Sequence, residues 1–385
     1  MEPRLLLGSG PSPVPERVLR ALAQPTIGHL DPQFVAIMDE VAELLRATFR
    51  TDNRVAFPLS ATGSGGMQAM VDTLVEPGDR VVCGVHGAFG ARMADALGRA
   101  GADVVRVEAE WGRAIEPERL IEAWTGGRGR SRAMFVVHGE TSTGVVADLT
   151  GLADAVHADD GLLLIDCVTS LAGHPLDLVA AGVDAAFSGT QKCLNCPPGL
   201  APFTVAERAT DRLSRRSWYF DLDAILQYWL PGQDRADPGG TTPRAYHHTA
   251  PINMVYALRE ALAIVQEEGL EARWARHATA HEALRAALAE LGFERYAPEG
   301  EQLHPLLCVR PPEDCEEASV RARLLGEHGI EVSGGLGPLA GRAWRIGVMG
   351  EGARPEPQRR LVEGVATLLG RDARDALDAL DQGWA

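Results

Sequence analysis

Lys192 is the only lysine in the chain; every other member of its 37 basic residues is arginine. A codon bias toward arginine explains the depletion but not a lone survivor. Guanidinium stays protonated up to a pKa above about 12, whereas a buried amine can lose its proton and attack a carbonyl. Lys192 therefore marks a place where arginine cannot substitute.

Three other groups of residues have chemical potential. Gly161-Leu-Leu-Leu-Ile-Asp166 is an apolar run that ends in a carboxylate, which needs a cation or strong hydrogen bonds if buried; the plainer alternative is that Asp166 caps a turn. Ser60-Ala-Thr-Gly-Ser-Gly-Gly66 opens a helical stretch, where backbone amides and the hydroxyls of Thr62 and Ser64 suit an anion such as phosphate. It is not a dinucleotide fingerprint, because Gln68 occupies the last glycine position, and no Gly-Lys-Ser/Thr makes it a nucleotide-triphosphate loop. Arg345 follows the glycine-rich Ser333–Pro338 loop and can take a carboxylate through two parallel bonds.

Two patterns carry less. Cys193 and Cys196 form a C-x-x-C pair, but no second pair or histidine set stands at zinc spacing. The segment Pro243-Arg-Ala-Tyr246-His-His-Thr249 is expected as a polar, aromatic patch between domains. Its adjacent His247 and His248 diverge on any regular element and make a poor metal pair.

The elements that must position these residues alternate. Strands are expected at Val55–Leu59, Arg80–Val85, Asp103–Val107, Ala133–His138, Gly161–Asp166, Ala185–Ser188 and Pro202–Val205. Helical segments fall between several of them: Phe89–Ala100, Glu116–Trp124 and Leu149–Ala158. That alternation predicts a doubly wound, mostly parallel sheet, which binds ligands beyond the carboxyl ends of its strands. A long helical pattern, Pro251–Leu291, breaks at Gly269. Strands Leu306–Val309, Glu331–Ser333 and Trp344–Val348 and helices Glu317–His328 and Pro355–Leu369 then predict a smaller α+β domain. Arg371–Ala385 is expected as a solvated terminal helix. The divisions expected are an arm at 1–15, a large domain at 16–265 and a small domain at 266–385.

Composition fits this. A chain of 385 residues with 45% hydrophobic and 23% charged residues is long and apolar enough for two cores. Its net charge of −16 repels phosphate backbones, so no nucleic-acid partner is expected. No apolar run reaches the roughly 18 residues that cross a bilayer, and the Leu5–Leu7 stretch is too short for a secretory signal. The six cysteines lie mostly in apolar, strand-like segments, which points to reduced thiols and a cytoplasmic protein.

Taken in order, Leu5-Leu-Leu-Gly8-Ser-Gly-Pro-Ser12, His138-Gly-Glu-Thr-Ser-Thr-Gly144, Ser188-Gly-Thr-Gln-Lys192, Tyr246-His-His-Thr249, Gly334-Gly-Leu-Gly-Pro338 and Arg345-Ile-Gly347 resemble the alanine–glyoxylate and serine–pyruvate aminotransferases. These are class V members of the fold-type I enzymes that use pyridoxal 5'-phosphate. The resemblance spans nearly the whole chain. It implies a Schiff base between cofactor and Lys192, and Asp166 paired with the pyridine nitrogen. It also implies a phosphate cup of Thr62, Gly63 and Ser64 with Gln191 nearby; a shift of two residues nominates Ser64, Gly65 and Gly66 instead. Thr141 and Val168 match cofactor contacts, Thr141 also touching substrate. Arg345 matches the residue that grips the substrate α-carboxylate, helped by backbone near Gly8. Tyr246 and Thr249 match residues that reach the phosphate of a neighbouring subunit, which implies a homodimer with shared sites. Two positions depart from the pattern: Phe89 stands where some relatives stack tryptophan on the ring, and Ser9 replaces a common proline.

The implied reaction is ping-pong amino transfer from alanine or serine to glyoxylate or pyruvate, with Lys192 as the base that moves the α-proton. Three rivals exist. Ureidoglycine–glyoxylate transfer changes only the donor, but relatives with that activity tend to carry asparagine at the position of Tyr246. A lyase of the cysteine desulfurase type needs a nucleophilic cysteine on a mobile loop and a histidine before the lysine. Here Gln191 precedes Lys192, and Cys308 lies in a strand-like run. A non-catalytic binding protein fits poorly with a complete lysine–aspartate–arginine set.

Overall fold

The computed structural model describes residues 3–127, 130–231 and 244–385. Seven strands form the main sheet: β1 (Val55–Leu59), β2 (Arg80–Val85), β3 (Asp103–Glu108), β4 (Ser131–Val137), β5 (Leu162–Asp166), β6 (Ala185–Phe187) and β7 (Ala201–Val205). Their order across the sheet is β1-β7-β6-β5-β4-β2-β3. Only β7 runs against its neighbours β1 and β6; the remaining pairs are parallel. Strands β5 and β6 are buried along their whole length, as apolar runs covered on both faces must be. Phe57, Phe135, Phe187 and Phe203 fill the core around them.

This direction puts the C-terminal ends of β1, β2, β4, β5 and β6 on one rim. Ser60–Gly63, His86–Phe89, His138–Thr141, Asp166–Val168 and Ser188–Lys192 follow those ends in turn. The parallel α/β class and its seven strands, expected from the alternation, are what the chain forms.

A second, four-stranded antiparallel sheet consists of β8 (Glu294–Arg295), β9 (Leu306–Arg310), β10 (Ser333–Gly334) and β11 (Trp344–Gly347), in the order β8-β9-β11-β10. The expected strand Glu331–Ser333 divides at Val332. Ile330–Glu331 pairs in parallel with Leu5–Leu6, while Ser333 and Gly334 face Arg345 and Trp344 across β10 and β11. The N-terminal segment is thereby a strand laid on the second sheet's side, and Leu7 is buried in that sheet's core.

Helices Ile252–Glu268 and Leu270–Glu290 meet at Gly269, which takes φ +80°. The main core extends to Trp274, and the second core begins at Ala280 on the same helix. The terminal helix, Arg374–Trp384, differs from the solvated one expected: Ala376 and Leu380 are fully buried in the second core, and the Trp384 indole donates to Gln358 (2.9 Å). Its charges occupy the outer face only, which an Asp-rich composition conceals.

Candidate active site

Lys192 sits a few residues past β6 and its amine is turned inward. Gln191, Asp166, Val168, Phe89, Thr141, Gly63 and Ser64 line a cavity of about 220 Å³ together with it. Residues from five strand ends thus converge on one small space. Lys192 is only 8% exposed, and burial pushes its amine down to about 8. Asp166 responds in the opposite direction: burial raises its carboxyl to about 7, against the bond that Oδ1 accepts from the Val168 amide (2.8 Å). The Thr141 and Thr169 hydroxyls share a hydrogen bond of 2.5 Å in the wall.

The turn after Lys192 is tied down from three sides. Asn195 adopts φ +51°, a left-handed conformation that asparagine tolerates. Its side-chain amide donates to Ser12 Oγ (3.0 Å) and to the Pro13 carbonyl (2.9 Å), while Ser12 Oγ donates to the Lys192 carbonyl (2.6 Å). Arg273 adds a bond to the Cys193 carbonyl (2.6 Å). The Lys192 ammonium itself donates to the Ser9 carbonyl, and Gly10 lies so close that a Cβ there would be 2.8 Å from Nζ.

Helix Gly63–Leu74 starts at the cavity with no side chain capping it. At its start the Gly65 and Gly66 amides donate to the Thr62 carbonyl (2.8 and 3.0 Å), which leaves the Gly63 and Ser64 amides for an anion. Gly63 packs against Val168, where a Cβ would lie 3.3 Å from Cγ2. Gly66 turns away, onto Ala201 and Phe187. The alternative cup of Ser64, Gly65 and Gly66 therefore loses its last member to the core. Thr62 is exposed and does not line the cavity. Gln191 Oε1 is buried beside the cavity without a hydrogen-bond partner in the protein.

Arg345 on β11 is 7% exposed, not the surface arginine its local sequence allows. Its Nε donates to the Gly334 carbonyl (2.8 Å) and Nη1 to the Thr141 carbonyl (3.4 Å), which brings the guanidinium to the cavity wall. Gly8 lies beside it in the chain path: the Gly347 amide donates to the Leu7 carbonyl (2.9 Å), and the Ser9 amide to Ser333 Oγ (3.0 Å).

Tyr246 and Thr249 do not join this cavity. Tyr246 is 57% exposed, bonds Thr249 through its hydroxyl (3.2 Å) and packs on His29. His247 lies against Trp218, and His248 stacks on Tyr219. The patch from Arg244 onward therefore rests on the large-sheet side instead of filling the space between domains; Pro243 lies outside the described residues. Cys193 and Cys196 are both buried, and burial pushes their thiols well up, Cys193 to about 12. Cys308 is buried in β9 with its thiol pushed to about 12, unlike a loop nucleophile. Among the described residues, no group of three or more histidine, cysteine or acidic side chains is arranged to hold a metal.

Four further residues shape the site without a signal of their own in the sequence: Glu140, Ser12, Asn195 and Arg273. Glu140 stands inside a quoted motif, yet only the fold reveals that its carboxylate is fully buried.

An amine held near neutrality, a carboxylate, an aromatic face and an open helix end in one cavity define a pyridoxal-phosphate enzyme of the aminotransferase fold. The class-V aminotransferase model matches residues 4–340, and the chain belongs to that family of pyridoxal-phosphate-dependent enzymes. The (S)-ureidoglycine–glyoxylate transaminase of Bacillus subtilis is 35% identical, over 98% of this chain and 94% of its own. The alanine–glyoxylate aminotransferase of Drosophila melanogaster is 36% identical, over 92% and 89%. Among solved structures, alanine–glyoxylate aminotransferase from Nostoc sp. superposes with a TM-score of 0.90 at 42% identity, covering 96% of each chain.

Proposed function

We propose that this enzyme transfers an amino group from alanine or serine to glyoxylate or pyruvate. The observation that carries the reading is the sole lysine, buried in a small cavity with Asp166 and with Arg345 at its wall. The relatives named above all carry glyoxylate in their names, which favours it as the acceptor here.

The bound cofactor supplies an aldehyde for an amine and a ring that withdraws electrons. Lys192 contributes the amine, and burial keeps part of it unprotonated near neutral pH, ready to take and return a proton at the substrate α-carbon. Asp166 would hold a proton on the ring nitrogen, since a cation beside it reverses the effect of burial on its carboxyl. Phe89 offers a flat face to the ring. The amides of Gly63 and Ser64 and the side chain of Gln191 suit the phosphate, with Thr62 at the rim. Val168 and Thr141 fill the remaining wall. Arg345 receives the α-carboxylate, helped by backbone at Gly8, and so orients the C–H bond that breaks.

Tyr246 and Thr249 are assigned to a second copy of the chain. Both are exposed and hydrogen-bonded to each other, and neither reaches the cavity of its own chain. A homodimer with shared sites is the assembly proposed. A large domain at 16–265, a small one at 266–385 and an arm at 1–15 are the divisions proposed; two separate cores support two domains, with the change of core falling between Trp274 and Ala280, and Leu5–Leu7 of the arm lie on the small side. No helix among the described residues is long and apolar enough to cross a membrane. The six free thiols support a reducing, cytoplasmic setting.

The similarity to the Bacillus subtilis enzyme, with a TM-score of 0.94, keeps (S)-ureidoglycine as the second donor to test. Mixing the yellow enzyme with one donor at a time, without acceptor, shows which donors bleach it. Bleaching by alanine or serine supports the proposal. Bleaching by (S)-ureidoglycine alone replaces it with the second reading, and bleaching by none refutes both.

A further inference from the structure

Glu140 follows β4 by three residues and is completely buried; among the described residues it forms no salt bridge, and the Arg345 guanidinium feels its charge only from beyond contact distance. Its charge is met instead by four donors. Oε2 accepts the Phe89 and Gly90 amides (3.1 and 3.2 Å), and Oε1 accepts the Ser142 amide and hydroxyl (3.0 and 2.6 Å). Ser142 Oγ in turn accepts the Ala88 amide (2.8 Å).

The Ala88, Phe89 and Gly90 amides open helix Ala88–Arg99, whose own preceding residue, Gly87, has no side chain to cap it. Glu140 and Ser142 thus provide the cap from another strand, and a full negative charge at a helix N-terminus is favourable. The fit is tight: a Cβ on Gly87 would collide with the Glu140 carboxyl and the Ser142 hydroxyl. Phe89, whose amide the carboxylate holds, lines the cavity, and the Arg92 guanidinium of the same wall lies 4.8 Å over one face of its ring, which leaves the other face for the cofactor.

We propose that Glu140 is a positioning residue for the cofactor: it fixes the Phe89 backbone, and through it the aromatic face that the cofactor ring lies against. This rests on the reading of Phe89 as that face. A carboxylate is required because all four partners are donors. A glutamine amide in its place directs N–H groups of its own at one pair of them, so the isosteric Glu140→Gln change disrupts the cap.

The test is a double-mutant cycle on the holoenzyme, measuring cofactor dissociation constants for the parent, Glu140→Gln, Phe89→Leu and the double variant. Glu140→Gln is expected to weaken cofactor binding about tenfold in the parent, and less than about twofold once Phe89 is leucine. Equal losses in both backgrounds, or no loss in the parent, overturn the proposal. If Phe89→Leu alone leaves affinity unchanged, the reading of Phe89 fails first and this proposal falls with it. Should Glu140→Gln not fold, Ser142→Ala replaces it in the cycle. That variant removes one bond at each end of the cap, and the same dependence on Phe89 is expected.

Discussion

Lys192 and Asp166 stand on the large parallel sheet, whereas Arg345 and Ser9 are supplied from the small sheet's side. The first pair is set by strands buried along their length, with the Lys192 turn tied to Ser12, Asn195 and Arg273. The second pair depends on the N-terminal strand lying on Ile330–Glu331 and on Ser9 meeting Ser333. The Ser9 carbonyl touches the Lys192 ammonium, so the two halves meet at the reactive amine. The proposed bond-making groups follow strands buried in the large sheet, and the proposed recognition groups depend on how the N-terminal strand docks.

The largest effect expected from this division lies in the first half. Lys192→Arg keeps a positive charge but removes the amine proposed to move the proton, and turnover is expected to fall by about 10³-fold or more. Single-turnover measurement with the best donor checks this; near-normal rates would mean that the large sheet does not hold the chemistry.

In the second half, Arg345→Ala is expected to lower kcat/KM by about 10- to 100-fold, mainly through KM, because bonds to a charged group are worth about 1.5–3 kcal/mol. Acceptor and donor should suffer together, since both carry an α-carboxylate. A loss confined to kcat would place Arg345 in the chemical half.

The smallest effect concerns the seam between the halves. His174 packs against His304 with ring centroids 4.2 Å apart, and His277 Nε2 accepts the Gly350 amide (2.9 Å). Burial holds His174 and His277 well below their ordinary range, and His138 and His281 at about 4. The folded chain thus binds fewer protons than the unfolded chain, where histidine titrates near 6.5. Their contribution is complete above about pH 6.5 and is lost as pH falls toward 4. Asp166, raised by burial, pulls the other way in the cofactor-free chain, but it is one group against several. Melting temperature is expected to drop steadily below about pH 6.5; a flat profile down to pH 4.5 would contradict the buried, neutral histidines.

The first half was legible in the sequence because its signals are local. Leu162–Asp166 is an apolar run with one carboxylate at its end, and Lys192 has no other lysine to compete with. The second half was legible only through Arg345 and a family resemblance. Nothing near Glu331 says that Leu5–Leu6 will pair with it, because that contact spans more than three hundred residues and is decided by packing. Glu140 escaped for a related reason: its four partners come from Phe89, Gly90 and Ser142, and the first two lie on a different strand–helix turn. The terminal helix misled because aspartates on one face hide Ala376 and Leu380 on the other.

The only primary side-chain amine in the chain is the proposed point of cofactor attachment. Borohydride reduction of the purified holoenzyme, followed by peptide mass analysis, tests it directly. A pyridoxyl group fixed on Lys192 is the predicted result; cofactor released intact, with Lys192 unmodified, would contradict it.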